Sequence, residues 1–282
     1  MIEPTIELKP GLYVTATPIG NLGDITYRAV KALKSADLIL CEDTRQSAKL
    51  CAAYGIETPL APYHDHNAAR VRPGVIKKLQ GGARICLVSD AGTPLIADPG
   101  YKLVREARDA GIDVFPLPGP SAALAALAAA GAPSDRFFFA GFPPPKQAAR
   151  AKLFEALKAV DAALIFYETA PRLAASLEAM EAAFGARRAV VARELTKLHE
   201  TFREGSLDAL AGRYRAAPTR GEIVIIVYPP AAQAVSPTAL DDFLAEALTE
   251  MTVKDAAGAA AEAFGVKRGE AYARALDVKK RS

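Results

Sequence analysis

The amino-acid sequence predicts an α/β fold made of two α/β domains followed by a small helical extension. Short apolar runs of strand length alternate with segments of helical spacing over the first 230 residues, which is typical of mostly parallel sheets covered by helices. With 282 residues, 51% of them hydrophobic, the chain can bury one large core or two of ordinary size. After residue 230 the strand pattern stops and only helical segments follow.

The first half of the chain contains four predicted strands. They cover residues 11–16, 38–41, 85–88 and 112–115. Asp24 is predicted to cap the helix after the first strand, and Asp43 or Thr44 the helix after the second. Asp98 and Pro99 are predicted to begin a helix after the third strand.

The second half repeats the apolar runs, at residues 137–139, 163–167, 189–192 and 223–227. Residues 200–204 and 222–227 are expected to pair antiparallel, which would make this second sheet mixed. A Pro-rich linker follows, and then two or three short helices with Gly265 and Gly269 as breaks. The predicted domains are residues 1–121, 122–230 and 236–282.

Four loops follow the ends of predicted strands, where ligands bind in open α/β sheets. They cover residues 16–24, 42–45, 89–98 and 116–122, with Asp90 at the mouth of the third loop. None contains the glycine patterns of dinucleotide or triphosphate sites, a serine nucleophile elbow or a zinc-protease helix. Their small residues, prolines and backbone amides suit a bulky, partly apolar ligand with a carboxylate or a ribose, such as S-adenosylmethionine.

Composition excludes several classes of function. A net charge of +3 does not by itself indicate nucleic-acid binding. Cys41, Cys51 and Cys86 lack paired spacing, so inert thiols in a reducing cytoplasm are expected. His64 and His66 lack a third ligand at metal-site spacing, so no metal is predicted. With no secretion signal and no apolar run of the roughly 18 residues that cross a bilayer, no membrane partner is expected.

Six ordered motifs make the sequence resemble the tetrapyrrole-methylase superfamily. They are residues 14–24, 41–45, 88–100, 118–122, 166–168 and 193–197. The resemblance runs from about Leu12 to Val227. The first loop, Thr-Pro-Ile-Gly at 17–20, departs from the glycine-rich loop of porphyrin-methylating members and is similar to the branch that acts on ribosomal RNA. The helical tail also fits that branch.

The resemblance implies that S-adenosylmethionine binds in a cleft between the two α/β domains and that the chain forms a homodimer. It also implies methyl transfer to the ribose 2′-oxygen of a cytidine in the decoding centre of small-subunit (16S) ribosomal RNA. Carried over position by position, the residues that contact the donor are Pro18, Ile19, Asp90, Gly92, Thr93, Ile96, Ser121, Ala122, Phe166, Tyr167, Leu195, Gly221 and Glu222. Strand-end amides can bind its carboxylate, while Ile19, Ile96 and Tyr167 can enclose its adenine.

The candidates for a catalytic base are Glu42, Asp43, Glu194 and Lys197. Displacement at the methyl group depends mainly on alignment, but a nearby base helps as the hydroxyl proton leaves. The lysine would need a depressed pKa to act in this way. The alternative interpretations are a helix cap for Asp43 and a surface ion pair for Glu194 with Lys197.

Basic residues are predicted to contact the RNA, as free RNA or as a 30S particle. Arg45 is predicted to contact a phosphate or a base, and Lys146 and Arg150 to form a positive rim of the cleft. The tail can hold phosphates independently of sequence through Lys254, Lys267, Arg268, Arg274, Lys279, Lys280 and Arg281. A solvated helical face is the alternative interpretation of the tail.

Two other functions stay open at this point. A methyltransferase of a corrin or porphyrin ring would need a wider, more apolar cleft and has no use for a basic helical tail. A non-catalytic RNA-binding module for ribosome assembly would use the same loops only as a scaffold. Binding of S-adenosylmethionine distinguishes the two enzymes from the module.

Overall fold

Two five-stranded β-sheets form the framework of the larger part of the chain. The computed structural model describes residues 8–96, 100–230 and 237–281. The chain divides into two units, Met1–Pro229 and Pro230–Ser282, and both sheets belong to the first. The helix start predicted at Asp98 and Pro99 lies outside the described residues.

The first sheet is parallel throughout. Its strands are β1 (Gly11–Thr15), β2 (Leu38–Cys41), β3 (Leu60–Pro62), β4 (Arg84–Leu87) and β5 (Val114–Leu117), in the order β3-β2-β4-β1-β5. The helices between them are α1 (Tyr27–Ser35), α2 (Thr44–Tyr54), α3 (Ala68–Gln80) and α4 (Tyr101–Asp109). Neighbouring residues such as Leu12 and Tyr13 enter different cores, one on each face of the sheet. Because the strands are parallel, the loops that follow them emerge at one edge.

The second sheet is mixed. Its strands are β6 (Phe137–Gly141), β7 (Ala163–Thr169), β8 (Arg188–Arg193), β9 (Thr201–Ser206) and β10 (Glu222–Val227), in the order β6-β7-β10-β8-β9. Only β6 and β7 pair in parallel. The helices are α5 (Ala122–Ala130), α6 (Gln147–Leu157), α7 (Leu173–Phe184) and α8 (Leu207–Ala216). Alanines of α5 pack against β7 and β10, whereas the other three helices pack on the opposite face. The predicted domain boundary at residues 121/122 falls just before α5 and stays a prediction.

Two strands of the first sheet differ from the sequence-based expectation. The sequence pattern does not predict β3, because this strand has only three residues and ends in a proline. β5 is predicted at residues 112–115 but begins at Val114 and continues through Pro116. Proline is tolerated there because β5 lies at an edge of the sheet.

Pairing and capping also differ in detail. The mixed character of the second sheet is as predicted, but β9 pairs with β8 and not with β10. Thr26, not Asp24, caps α1: its Oγ1 accepts from the Ala29 N–H at 3.1 Å, while Asp24 closes a 3₁₀ turn. Asp43 caps α2, and its carboxylate accepts from the Arg45 N–H at 2.8 Å.

The C-terminal unit contains three helices, α9 (Pro237–Glu250), α10 (Val253–Phe264) and α11 (Arg268–Arg281). Their core consists of Leu240, Leu244, Ala256, Ala257, Ala260, Ala271, Ala275 and Val278. Gly265 ends α10 in the left-handed conformation, with φ of +65°. Gly269, predicted as a break, instead lies in the first turn of α11. Across the described ranges, no helix has the length and apolar character needed to span a membrane.

Candidate active site

A cavity of about 610 Å³ opens between the loops of the first sheet and the strand ends of the second. The first sheet contributes Ile19, Asp90, Ala91, Gly92, Thr93, Ile96, Ser121 and Ala122. The second sheet and its loops contribute Phe142, Tyr167, Glu168, Thr169, Ala170, Pro171, Leu195, Thr219, Arg220, Gly221, Glu222, Ile223 and Val224. Its size is typical of a small-molecule site.

Hydrogen bonds join the first-sheet loops into one wall of this cavity. Thr17 and Gly92 exchange backbone hydrogen bonds of 2.9 and 3.0 Å, which ties the loop after β1 to the loop after β4. The Thr93 hydroxyl donates to the Pro120 carbonyl at 3.0 Å and adds the loop after β5. Gly92 has φ of +81°, and a Cβ there would lie 3.3 Å from the Ile19 side chain. The wall therefore presents backbone and small side chains close to any ligand.

Tyr167 supplies much of the opposite wall. Its hydroxyl accepts a hydrogen bond from the Ala123 N–H at 3.2 Å, which satisfies a free amide in the first turn of α5. The Phe142 ring lies edge-on to the Tyr167 ring at 5.5 Å. Phe166, predicted to contact the donor, is fully buried on the other face of β7, against Phe154. Consecutive strand residues face opposite sides, so only one of this pair can reach the cavity.

Glu194, Lys197 and Glu222 form a compact ion-pair cluster at the rim. Lys197 Nζ lies 3.0 Å from Glu194 Oε1 and 3.1 Å from Glu222 Oε2, and Glu194 Oε1 also accepts from the Glu222 N–H at 2.9 Å. The cluster sits on a turn in which Glu194 and Thr196 both have positive φ, of 52° and 65°. Gly20 of the first-sheet loop leaves room for the lysine stem, because a Cβ there would lie 2.6 Å from Lys197 Cγ.

The electrostatics of this cluster do not favour either residue as a base. The Glu222 amide, and then the Lys197 ammonium, lower the pKa of Glu194. Desolvation acts to lower the pKa of Lys197, but the hydrogen bonds that its ammonium donates to Glu194 and Glu222 outweigh this effect and raise that pKa. Both groups are therefore charged near neutral pH. The depressed pKa that a lysine base requires is not found.

Glu42 and Asp43 lie at the end of β2, beside the cavity residue Asp90. The Asp43 N–H donates to Asp90 Oδ1 at 3.0 Å. Hydrogen bonds from the Arg45 side chain and then its backbone lower the pKa of Asp43 to about 2. For Glu42, desolvation first, and then the charges of Asp90 and Asp65, raise the pKa. Of the four candidate bases, Glu42 has the electrostatic environment best suited to accepting a proton.

The three residues predicted to contact RNA lie in different environments. Arg45 is exposed but pairs with Asp43, with Nη2 2.7 Å from Oδ2. Lys146 is exposed at the start of α6. Arg150 is buried, and its Nη1 donates to the Pro145 carbonyl at 3.4 Å. This burial does not favour contact between Arg150 and a substrate.

The sequence analysis does not predict several of the residues that line the cavity. Phe142, Thr169, Ala170, Pro171, Thr219, Arg220, Ile223 and Val224 belong to this group. Thr219 and Arg220 immediately precede Gly221, which the resemblance predicts to contact the donor, so their position beside it is a signal that could have identified them. Phe142 carries no such signal, since only the fold brings β6 beside Tyr167. Pro18, which was predicted to contact the donor, is not among the residues that line the cavity.

The first unit matches a family defined on known proteins. A sequence profile of the Tetrapyrrole (Corrin/Porphyrin) Methylases matches residues 11–211, and one of the RsmI C-terminal HTH domain matches residues 234–279. Solved structures with the same fold include the methyltransferase CobJ, with a TM-score of 0.59 and 22% identity over 78% of this chain and 95% of that chain. Another is uroporphyrin-III-C-methyltransferase from Thermus thermophilus, with a TM-score of 0.56 and 19% identity over 78% and 94%. These likenesses confirm the predicted fold class.

Closer relatives share most of the chain. The ribosomal RNA small subunit methyltransferase I of Mesorhizobium japonicum is 52% identical over 98% of this chain and 95% of its own length. The protein of the same name from Escherichia coli O157:H7 is 47% identical over 94% of both chains. The resemblance inferred from the six motifs is therefore confirmed: the chain belongs to the tetrapyrrole methylase family and, within it, to the ribosomal RNA small subunit methyltransferase I proteins.

Proposed function

We propose that this chain transfers a methyl group from S-adenosylmethionine to the ribose 2′-oxygen of a cytidine in the decoding centre of small-subunit ribosomal RNA, in the cytoplasm. The observation that carries this proposal is the cavity between the sheets, because five of the six motifs that resemble the methylase family contribute residues to its lining. The names of the relatives, at up to 52% identity, support the choice of ribosomal RNA as substrate.

The residues of the cavity fit a donor of this kind. Ala91 and Gly92, small residues of the loop after β4, line the cavity and leave room for a carboxylate or a ribose. Asp90 uses one oxygen for the Asp43 amide, and its carboxylate can also accept from ribose hydroxyls. Ile19, Leu195 and Tyr167 offer apolar surface for an adenine ring. S-adenosylmethionine would supply a methyl group on a sulfonium, and the neutral thioether that remains after transfer needs no protonation to leave.

The chain's own residues then align the acceptor and receive its proton. Alignment of the ribose oxygen depends on the two walls, which the Tyr167–Ala123 hydrogen bond holds together. We assign the role of base to Glu42, an exposed carboxylate that lies outside the cavity lining but beside the lining residue Asp90, and whose pKa is raised. Glu194 and Lys197 stabilise the rim as a charged pair and keep loops of the two sheets in contact.

One pair of measurements tests this function against its alternatives. Calorimetry with S-adenosylmethionine reports donor binding, and primer extension at limiting nucleotide reports a 2′-O-methyl mark on small-subunit RNA. Donor binding together with a mark on a cytidine is the expected result. Donor binding without an RNA mark would favour a corrin or porphyrin methyltransferase. Absence of donor binding would favour a non-catalytic assembly module.

We also infer a homodimer, which the resemblance to the family implies. The RNA substrate is small-subunit RNA, either free or in a 30S particle. Light scattering of the purified protein is expected to give twice the mass of the 29.7 kDa chain. Parallel methylation assays on free small-subunit RNA and on 30S particles decide between these two forms of the substrate.

A further inference from the structure

We propose that Arg220 binds a phosphate of the RNA strand at the mouth of the cavity and so positions the adjoining ribose. This inference rests on the proposed function and names the group that holds its substrate. Among the described residues that line the cavity, Arg220 is the one cationic side chain. It is exposed, and within the described ranges its guanidinium makes no hydrogen bond or ion pair.

Other arginines around the cavity are already engaged. Arg172 pairs with the buried carboxylate of Glu168 at 3.4 Å and also donates to the Pro143 carbonyl. Arg193 donates to the His199 carbonyl at 3.1 Å and to the Arg220 carbonyl at 3.3 Å. These guanidiniums support the walls, whereas that of Arg220 is available to a ligand.

The backbone that carries Arg220 is held in place on both sides. The Arg193 guanidinium donates a hydrogen bond to the Arg220 carbonyl. The next residue, Gly221, has φ of +96° and packs against the Glu194 carboxylate. The Glu222 N–H is bonded to that same carboxylate at 2.9 Å. Binding through Arg220 therefore requires ordering of one side chain but not of the loop, which reduces the entropic cost.

The chemistry of the acceptor indicates a phosphate as the ligand. In RNA the 2′-oxygen is bonded to the carbon next to the one that carries the 3′-phosphodiester, so a phosphate must lie close to the reacting oxygen. A guanidinium matches the oxygens of a phosphate in a bidentate arrangement. The acids Glu168 and Glu222 in the same lining already pair with Arg172 and Lys197, so they do not neutralise Arg220.

The test compares Arg220→Ala and Arg220→Lys with wild type and with Arg213→Ala. Arg213 lies in the last turn of α8, is exposed, and does not line the cavity, so it controls for loss of one positive charge. Affinity for 30S particles assembled from unmodified RNA is measured by fluorescence anisotropy at several salt concentrations. Donor affinity is measured by calorimetry, and thermal unfolding checks that each variant folds.

Arg220→Ala is expected to weaken RNA binding about tenfold, as for one charge-assisted contact. The slope of log affinity against log salt is expected to fall by about 0.7–0.9, the value for one phosphate. Donor affinity is expected to stay constant, Arg220→Lys to retain part of the RNA affinity, and Arg213→Ala to match wild type.

Two results would overturn the role of Arg220. Equal RNA affinities for wild type and Arg220→Ala would exclude the phosphate contact, and a loss of donor affinity in Arg220→Ala would assign the guanidinium to the donor's carboxylate. Failure of the proposed function would look different. Wild type would then leave the RNA unmethylated, while the comparison of RNA affinities would still decide the role of Arg220.

Discussion

The ion-pair cluster of Glu194, Lys197 and Glu222 depends on Gly221, which has no side chain. A Cβ at Gly221 would lie 2.5 Å from Glu194 Cδ, and the φ of +96° strains any other residue. Gly221→Ala is therefore expected to lower the free energy of unfolding by about 1–3 kcal/mol. It should also separate Glu194 from the Glu222 amide. Urea unfolding measures the first effect.

Gly212→Ala is the matched control for that substitution. Gly212 lies inside α8, and an added Cβ there would meet nothing within 4 Å. Because alanine favours a helix over glycine, this variant is expected to gain about 0.5–1 kcal/mol. A similar loss in both variants would contradict the steric explanation.

The Asp43–Arg45 pair makes a pH-dependent prediction. The folded pKa of Asp43 is about 2, below the roughly 3.9 of an unfolded chain. A lowered pKa contributes stability that is present above the unfolded pKa and lost as the pH falls through about 2. Arg45→Ala is expected to raise the pKa of Asp43 only part of the way back, because the backbone N–H at position 45 still donates to it. An NMR titration of the carboxyl carbon that shows no change would refute this pairing.

The role of Glu42 as the base can be tested by enzyme kinetics. If it accepts the hydroxyl proton, Glu42→Gln is expected to reduce kcat about 10²–10⁴-fold. In wild type, kcat should rise with pH through the raised pKa of Glu42 and then level off, because only the carboxylate accepts a proton. Glu57→Gln, which changes an exposed carboxylate before β3, should behave as wild type. An unchanged kcat and pH profile in Glu42→Gln would show that alignment alone carries the reaction.

At the scale of one element, successive residues of β7 face opposite sides of the sheet. One of them is therefore expected to affect the stability of the fold and the next to affect donor binding. Phe166 is fully buried on one face, while Tyr167 reaches the cavity from the other. Phe166→Leu is expected to lower stability by about 1 kcal/mol and to leave donor affinity unchanged. Tyr167→Phe removes the acceptor for the Ala123 N–H and is expected to weaken donor binding severalfold. Calorimetry measures donor affinity in both variants. Weaker donor binding in Phe166→Leu would show that Phe166 contacts the donor after all.

The elements predicted best from sequence are those with long apolar runs. The runs at β2 and β10 are predicted because uninterrupted apolar runs of this length fit a buried strand and are too short for a helix. β3 and the end of β5 are not, because edge strands tolerate prolines that normally indicate loops. The site shows the same division. Asp90 and Gly92 lie in a recognisable motif, whereas Phe142 becomes a cavity residue only when the fold brings β6 beside Tyr167.

At the scale of the molecule, the two units have distinct chemical characters. Every described residue that lines the cavity lies in the first unit. In the second, α9 carries the acids Asp241, Asp242, Glu246 and Glu250, while α11 ends in Lys279, Lys280 and Arg281. Arg274 and Arg281, both predicted to hold phosphates, instead pair with Asp241: Arg274 Nη2 lies 2.8 Å and Arg281 Nη1 lies 3.9 Å from Asp241 Oδ2. Lys279 and Lys280, exposed at the end of α11, are therefore the residues of this helix best suited to bind RNA.

Because the cavity and the basic end of α11 belong to different units, substitutions are expected to change RNA affinity without changing donor affinity. Combined Lys279→Glu and Lys280→Glu substitution is expected to weaken binding of 30S particles and to reduce its salt dependence, because two phosphate contacts are lost. Donor affinity should not change, since no residue that the structure describes in this unit lines the cavity. Asp242→Asn, which removes an acid from α9, is expected to leave RNA binding equal or slightly stronger. If both variants bind 30S particles as wild type does across the salt series, the tail holds no RNA, and the rim of the cavity must supply the affinity alone.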